Sequence, residues 1–239
     1  VTSRLRVAAG LPAILIAVAG CSGTVTGATG STGPTRDPSV GATTPTGVTT
    51  TCEFADADST NPYLIEVDPP DEVVPADGTT DLQVTTNLGD LVLTVDHGTA
   101  PCAAASLVHL AGTGFFTGTA CHREVDNDVV RMLQCGDPTG TGVGGPTYTS
   151  PTEVTGEETY PRGTIAMVNS GQGVDGSQFF LVWGDSRLPP VYTVVGTVDE
   201  AGLAVLDLVA ANGNDGSLDP SPGGGAPTVP VTIESVTVA

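Results

Sequence analysis

GSQFFLVW, residues 176–183, is the densest aromatic cluster in a chain whose aromatic content is only 4%. Two adjacent phenylalanines followed by Leu181, Val182 and Trp183 read as a β-strand. Strand side chains alternate between faces, so Phe179 and Phe180 cannot enter the same core. Alternation also puts Gln178 on the face of Phe180. One Phe is therefore expected in a core, while the other shares a second face with a polar residue.

Outward from this stretch, short strands dominate. LQVTTN (82–87) and LVLTVD (91–96) flank an LGD turn region and read as a hairpin. Further strands are expected near 119–125, 130–135, 163–168, 178–183 and 193–198, and in TVPVTIESVTV after the Gly/Pro-rich loop 214–226. Two segments carry helical spacing instead. In APCAAASLVHLAG, Pro101 suits the first turn, and Ala103, Leu107, Leu110 and Ala111 fall on one stripe. In 199–211, Leu203, Leu206 and Val209 do the same, with Gly213 just beyond. Many short strands with only two helices predict a mainly β fold, a closed antiparallel barrel capped by the helices.

The N-terminus reads differently. Arg4 and Arg6 precede an apolar run, Leu11 to Gly20, too short for a permanent membrane span but suited to a signal peptide over 1–20. The run ends in VAGC (18–21), which resembles the lipobox of bacterial lipoproteins and implies cleavage before Cys21 and lipidation of its thiol. Residues 21–50 are mostly Gly, Thr, Ser, Pro, Val and Ala, a composition that cannot bury enough apolar surface to fold, and are read as a disordered tether. An N-terminal extension is assigned to 51–79 and the folded domain to 80–239. The expected location is extracytoplasmic, with the membrane as partner through the lipid on Cys21.

Composition narrows the chemistry. The chain has no lysine, which excludes Schiff-base catalysis and a P-loop, and its formal charge of −20 argues against nucleic acid as partner. Setting Cys21 aside leaves Cys52, Cys102, Cys121 and Cys135, an even set that reads as two disulfides with three possible pairings. Zinc binding with His97, His109 or His122 is the rival, but no CxxC-type spacing supports it, and no metal is assigned. A Ser177–His122 hydrolase triad lacks a GxSxG context. Glu157–Glu158 and Asp126–Asp128 read as solvated loop charge.

Three longer segments carry a family resemblance. RGTIAMVNSGQGVDGSQFFLVW (162–183) resembles the central cyclophilin signature, written RGxxxMA, then N, then NGSQFF. CHREVDNDVVRMLQCGDPTGTGVGG (121–145) resembles the upstream FHR and QGGD segment, and VYTVVGTVDEAGLAVLDLV (191–209) the later VFGxV segment with its helix. The three occur in family order over roughly 80–239. The resemblance implies an eight-stranded barrel with two helices, and isomerisation of peptide bonds preceding proline without cofactor, metal or covalent intermediate. Rotation about such a bond must break amide resonance, a barrier near ~20 kcal/mol. A fixed cation beside the prolyl nitrogen favours the twisted state over either planar one.

Carried over by motif, Arg123 is that cation, Gln134 positions the substrate backbone and supports it, and Phe180 floors the proline pocket while Phe179 faces the barrel core. Met132, Leu188 and Tyr192 complete the pocket; Val168, Asn169 and Gln178 line the groove for residues before the proline. His122 matches a structural histidine. The resemblance also sets Cys121 and Cys135 on antiparallel neighbouring strands and so implies Cys121–Cys135 and Cys52–Cys102 pairs. Departures from the family pattern are Arg131 for an aromatic, Arg187 for a tryptophan, Tyr192 for a histidine and Val168 for an alanine, with a longer loop between His122 and Gln134. The expected activity is a monomeric peptidyl-prolyl isomerase acting on proline-containing exported polypeptides; the alternative is a weakly catalytic or non-catalytic Pro-peptide binding module.

Overall fold

A computed structural model describes residues 47–170 and 173–239. The stretch read as a signal peptide, Cys21 and most of the range read as a tether lie outside the described residues. The elements in chain order are β1 (Thr49–Thr51), β2 (Ala55–Asp56), β3 (Leu64–Ile65), β4 (Val73–Pro75), β5 (Thr79–Thr86), β6 (Gly89–Asp96), α1 (Pro101–Gly112), β7 (Thr119–Cys121), β8 (Arg123–Asp126), β9 (Arg131–Cys135), β10 (Gly145–Pro146), β11 (Tyr148–Pro151), β12 (Thr164–Asn169), β13 (Val174–Gly184), β14 (Val194–Val198), α2 (Glu200–Asn212) and β15 (Val231–Val238). The fold is mainly β with two helices. Strand order begins at Thr49, inside the range read as tether: three β-branched threonines pair antiparallel with β4.

The main sheet runs β2-β11-β13-β12-β14-β6-β5-β15-β7, and β9 joins it by pairing with β13 on one side and β8 on the other. All its pairs are antiparallel, the hairpin β5–β6 among them. The large core lies on the sheet face carrying Leu93, Leu133, Ile165, Phe179 and Leu181, covered by Leu107 and Leu110 of α1 and Leu203, Leu206 and Val209 of α2. Asp199 caps α2 by accepting the Gly202 N–H at 2.9 Å, and Gly213 ends it with φ 68°. The first turn of α1 has no local cap; the Glu153 carboxylate accepts the N–H groups of Cys102 (3.2 Å) and Ala103 (2.9 Å) from across the fold.

Disulfides join Cys52 to Cys102 and Cys121 to Cys135. The first fastens the extension to α1. The second bridges β7 and β9, and the four thiols are thereby unavailable as metal ligands.

Candidate active site

A single strand irregularity builds the site. The strand expected over 119–125 breaks at His122 into β7 and β8. Cys121 is bonded to Cys135, whereas Arg123, two residues on, is opposite Gln134, the neighbour of Cys135. Since Gln134 and Cys135 face opposite ways, Cys121 and Arg123 do too. His122 is the extra residue, its N–H donating to the Gln134 carbonyl at 3.1 Å. This bulge turns Arg123 out of the core and onto the second face of the sheet.

On that face Arg123, Gln134, Phe180 and Ala166 stand directly opposite one another across β8, β9, β13 and β12. The row places a cation, an amide and an aromatic ring at cross-strand spacing. Phe179 packs in the large core, edge-on to Phe116. Phe180 belongs to a separate apolar cluster with Val125, Met132, Tyr160, Ala166 and Val182, against which Val168, Leu188 and Tyr192 pack. Met132, Val168, Leu188 and Tyr192, four of the residues carried over by motif, are thus brought together around Phe180.

Arg123 is held on three sides. Its Nε donates to the Gly223 carbonyl (3.0 Å), Nη2 to the Pro222 carbonyl (2.9 Å) and Nη1 to Gln134 Oε1 (3.1 Å). All three acceptors are neutral. The ion pairs among the described residues are Arg131–Asp126 and Arg162–Asp207, so no carboxylate neutralises Arg123. Burial pulls its pKa below the ordinary value, yet a guanidinium remains charged. Beyond Arg123 the bonds continue: Gln134 Nε2 donates to Gln178 Oε1 (2.8 Å), and Gln178 Nε2 to the Gly144 carbonyl (3.0 Å). Gln178 therefore shares the face of Phe180 but is fixed by this chain of amides.

Gly144 is fixed in turn by Asp137. This fully buried carboxylate accepts the N–H groups of Thr139 (2.7 Å), Gly142 and Gly144 (3.1 Å) and the Thr139 hydroxyl (2.8 Å). Burial alone would raise its pKa, but these hydrogen bonds outweigh burial and hold it below the usual range. Asn169 Nδ2 donates to the Thr152 hydroxyl at 3.2 Å, on the groove side of β12.

Two features escaped the sequence reading. Tyr160 is buried against Phe180 and Tyr192, with ring centroids 6.1 Å away in each case. Its hydroxyl accepts the Tyr192 N–H (3.0 Å) and lies 3.1 Å from the Tyr192 carbonyl, pinning the pocket wall. The loop 214–226, read only as Gly/Pro-rich, supplies two of the three anchors of Arg123. Ser177 is no nucleophile: its buried hydroxyl donates to the Gly136 carbonyl at 2.7 Å. His122 is half-buried, but both its ring nitrogens are shielded from solvent and have no hydrogen-bond partner among the described residues, and burial lowers its pKa. Arg131 pairs at 3.6 Å with Asp126, both half-exposed, an interaction worth little.

A sheet with two helices and a cation–amide–aromatic row on its outer face defines a cyclophilin-like domain. The family model for the cyclophilin type peptidyl-prolyl cis-trans isomerase matches residues 81–238. The chain belongs to this family. It is 42% identical over 176 residues to a probable peptidyl-prolyl cis-trans isomerase B of Mycobacterium leprae, covering 68% of this chain and 58% of that protein. Thus the chain spans little more than half the length of that relative. A peptidyl-prolyl cis-trans isomerase of Helicobacter pylori is 38% identical over 129 residues, 53% of this chain and 77% of that protein. Among solved structures, a cyclophilin type isomerase of Cryptosporidium parvum superposes with TM-score 0.56 at 25% identity, over 68% of this chain and 98% of that one. The same protein in the presence of the dipeptide Ala-Pro gives a TM-score of 0.54.

Proposed function

We propose that this chain is a peptidyl-prolyl cis-trans isomerase acting on Xaa-Pro bonds of exported proteins. The observation that carries the reading is the row Arg123–Gln134–Phe180, with an uncompensated guanidinium fixed one strand away from the amide that adjoins the aromatic floor. The proline ring packs on Phe180 between Met132, Leu188 and Tyr192, while Arg123 addresses the prolyl nitrogen. A planar amide nitrogen shares its lone pair with the carbonyl and is a poor acceptor; twisting localises that pair. Three of the five guanidinium N–H groups are engaged within the protein, leaving donors for the nitrogen only in the twisted state. Gln134 and Gln178 hold the backbone upstream of the proline. The reaction asks for no metal or cofactor.

On the same reading β7 and β8, separated only by His122, act as one bent strand that joins β15 to β9 and closes an eight-stranded barrel. The chain acts as a monomer tethered outside the cytoplasmic membrane by lipid on Cys21. A protease-coupled assay on an Xaa-Pro peptide tests the activity. Hydrogen bonds to a charged group contribute roughly 1.5–3 kcal/mol, so Arg123→Ala is expected to lower kcat/KM about 10- to 100-fold. Background rates for the wild type, unchanged in Arg123→Ala, would leave a Pro-peptide binding module instead.

A further inference from the structure

We propose that the N-terminal extension completes a second subsite beside the proline pocket, one that selects polypeptides carrying lysine or arginine upstream of the proline. The inference rests on reading the Phe180 face as the proline site. A groove of about 620 Å³ opens next to that face. One wall is the end of β12 and start of β13, with Val168, Asn169 and Gln178; the other is the extension, with Asp56, Asp58 and Asn61. Gln178 joins the two sites, since its amide is bonded to Gln134, the residue between Arg123 and Phe180. A chain seated on Phe180 and running past Gln178 therefore enters this groove.

The extension is a fixed wall. Ala57 N–H donates to the Thr147 carbonyl (2.9 Å), Asn61 Nδ2 to the Val143 carbonyl (2.8 Å), and β3 pairs parallel with β10. Cys52–Cys102 fastens its start to α1. A pre-positioned wall needs no ordering when a peptide arrives, so no binding energy is lost to fixing it.

Those charges have one sign. Residues 51–79 hold eight carboxylates and no basic residue, and no arginine lines the groove. The Asp58 carboxylate accepts the Thr60 N–H (2.9 Å) and hydroxyl (2.7 Å), and these bonds hold its pKa below the usual value. Neither Asp56 nor Asp58 is in an ion pair among the described residues. Leu64, Tyr148, Val168 and Val174 add apolar lining. A side chain with an aliphatic stem and a cationic head matches both parts, and an acidic side chain is repelled.

The test uses the full chain and peptides with Lys, Ala or Glu at each of the three positions preceding the Xaa-Pro pair. Isomerisation is read by exchange NMR, so that no coupling protease adds its own preference. At one position Lys is expected to exceed Glu in kcat/KM by roughly threefold to thirtyfold, as two solvent-exposed charge pairs allow. The ratio should shrink toward one in D56N/D58N and in high salt. Equal rates for Lys and Glu at every position, or a preference that survives D56N/D58N, overturn the inference while leaving the isomerase reading intact. If no peptide is turned over, that reading fails instead. The subsite is then decided by titrating the same peptides for binding, where the Lys:Glu affinity ratio must exceed one and fall in D56N/D58N.

Discussion

Glu124 turns fold stability into a function of pH. It follows Arg123 in β8, stands opposite Leu133 on the core face and is fully buried, with no hydrogen-bond partner on either carboxylate oxygen among the described residues. Burial, aided by the nearby charge of Asp126, pushes its pKa from 4.5 up to about 7. In the unfolded chain the same carboxyl titrates near 4.5, so folding takes up a proton between those values. Its share of stability is complete below pH 4.5 and is lost as pH rises through about 7. A gap of about 2.5 units at 1.36 kcal/mol per unit makes the loss about 3 kcal/mol. Glu124→Gln keeps the shape and removes the ionisation. Its buried amide carries a cost of its own, but that cost does not vary with pH. Urea denaturation of both proteins at about pH 5 and about pH 8 then isolates the carboxyl. The variant should gain 2–3 kcal/mol on wild type between the two, taken as an order of magnitude. Asp175, pushed up to about 6 by burial, is common to both proteins and cancels. A variant-minus-wild-type difference that is the same at both pH values would refute the reasoning.

Other sites give sharper structural tests. Arg123→Lys keeps the charge but cannot reach Pro222, Gly223 and Gln134 together, so kcat/KM should fall about as far as in Arg123→Ala, at least ~10-fold in the isomerase assay. Asp137→Ala strips acceptors from three N–H groups of the 139–144 loop; urea melts should show a loss of about 3 kcal/mol or more, with weaker peptide binding because Gly144 anchors Gln178. Gly136→Ala forces a side chain onto a residue with φ 87° and drives its Cβ into the Ser177 carbonyl, so calorimetry should record a loss of about 2 kcal/mol or more.

What local pattern could reveal was set by period and residue type. The hydrophobic stripes of α1 and α2 and the alternation of Phe179 and Phe180 needed only near neighbours, and each side chain lies on the expected face. Residues 49–75 offered no such period: β1 to β4 are only two or three residues long, β1 and β4 pair with each other across more than twenty positions, and β2 and β3 pair with the distant β11 and β10. The anchors of Arg123 were hidden for a similar reason, because Pro222 and Gly223 are about a hundred positions away and contribute only carbonyl oxygens. A carbonyl is common to every residue, so nothing in the letters marks it. Tyr160 was missed because it stands outside any strand with a readable alternation, joined to Ser186 by a single bridge. The break at His122 likewise follows from a change of partner, β15 before it and β9 after, which no single segment encodes.

The grip on Arg123 has a thermodynamic consequence. A free arginine side chain carries about 2 kcal/mol of rotamer entropy. Here that freedom is surrendered once, when the loop 214–226 closes over β8, and on the isomerase reading proposed above each arriving substrate meets a guanidinium that is already still. The immobilisation is thus charged to the stability of the fold rather than to every turnover. Loosening residues 222–223 would transfer it to the catalytic cycle, slowing the reaction through a segment whose link to the reacting bond runs through Arg123 alone.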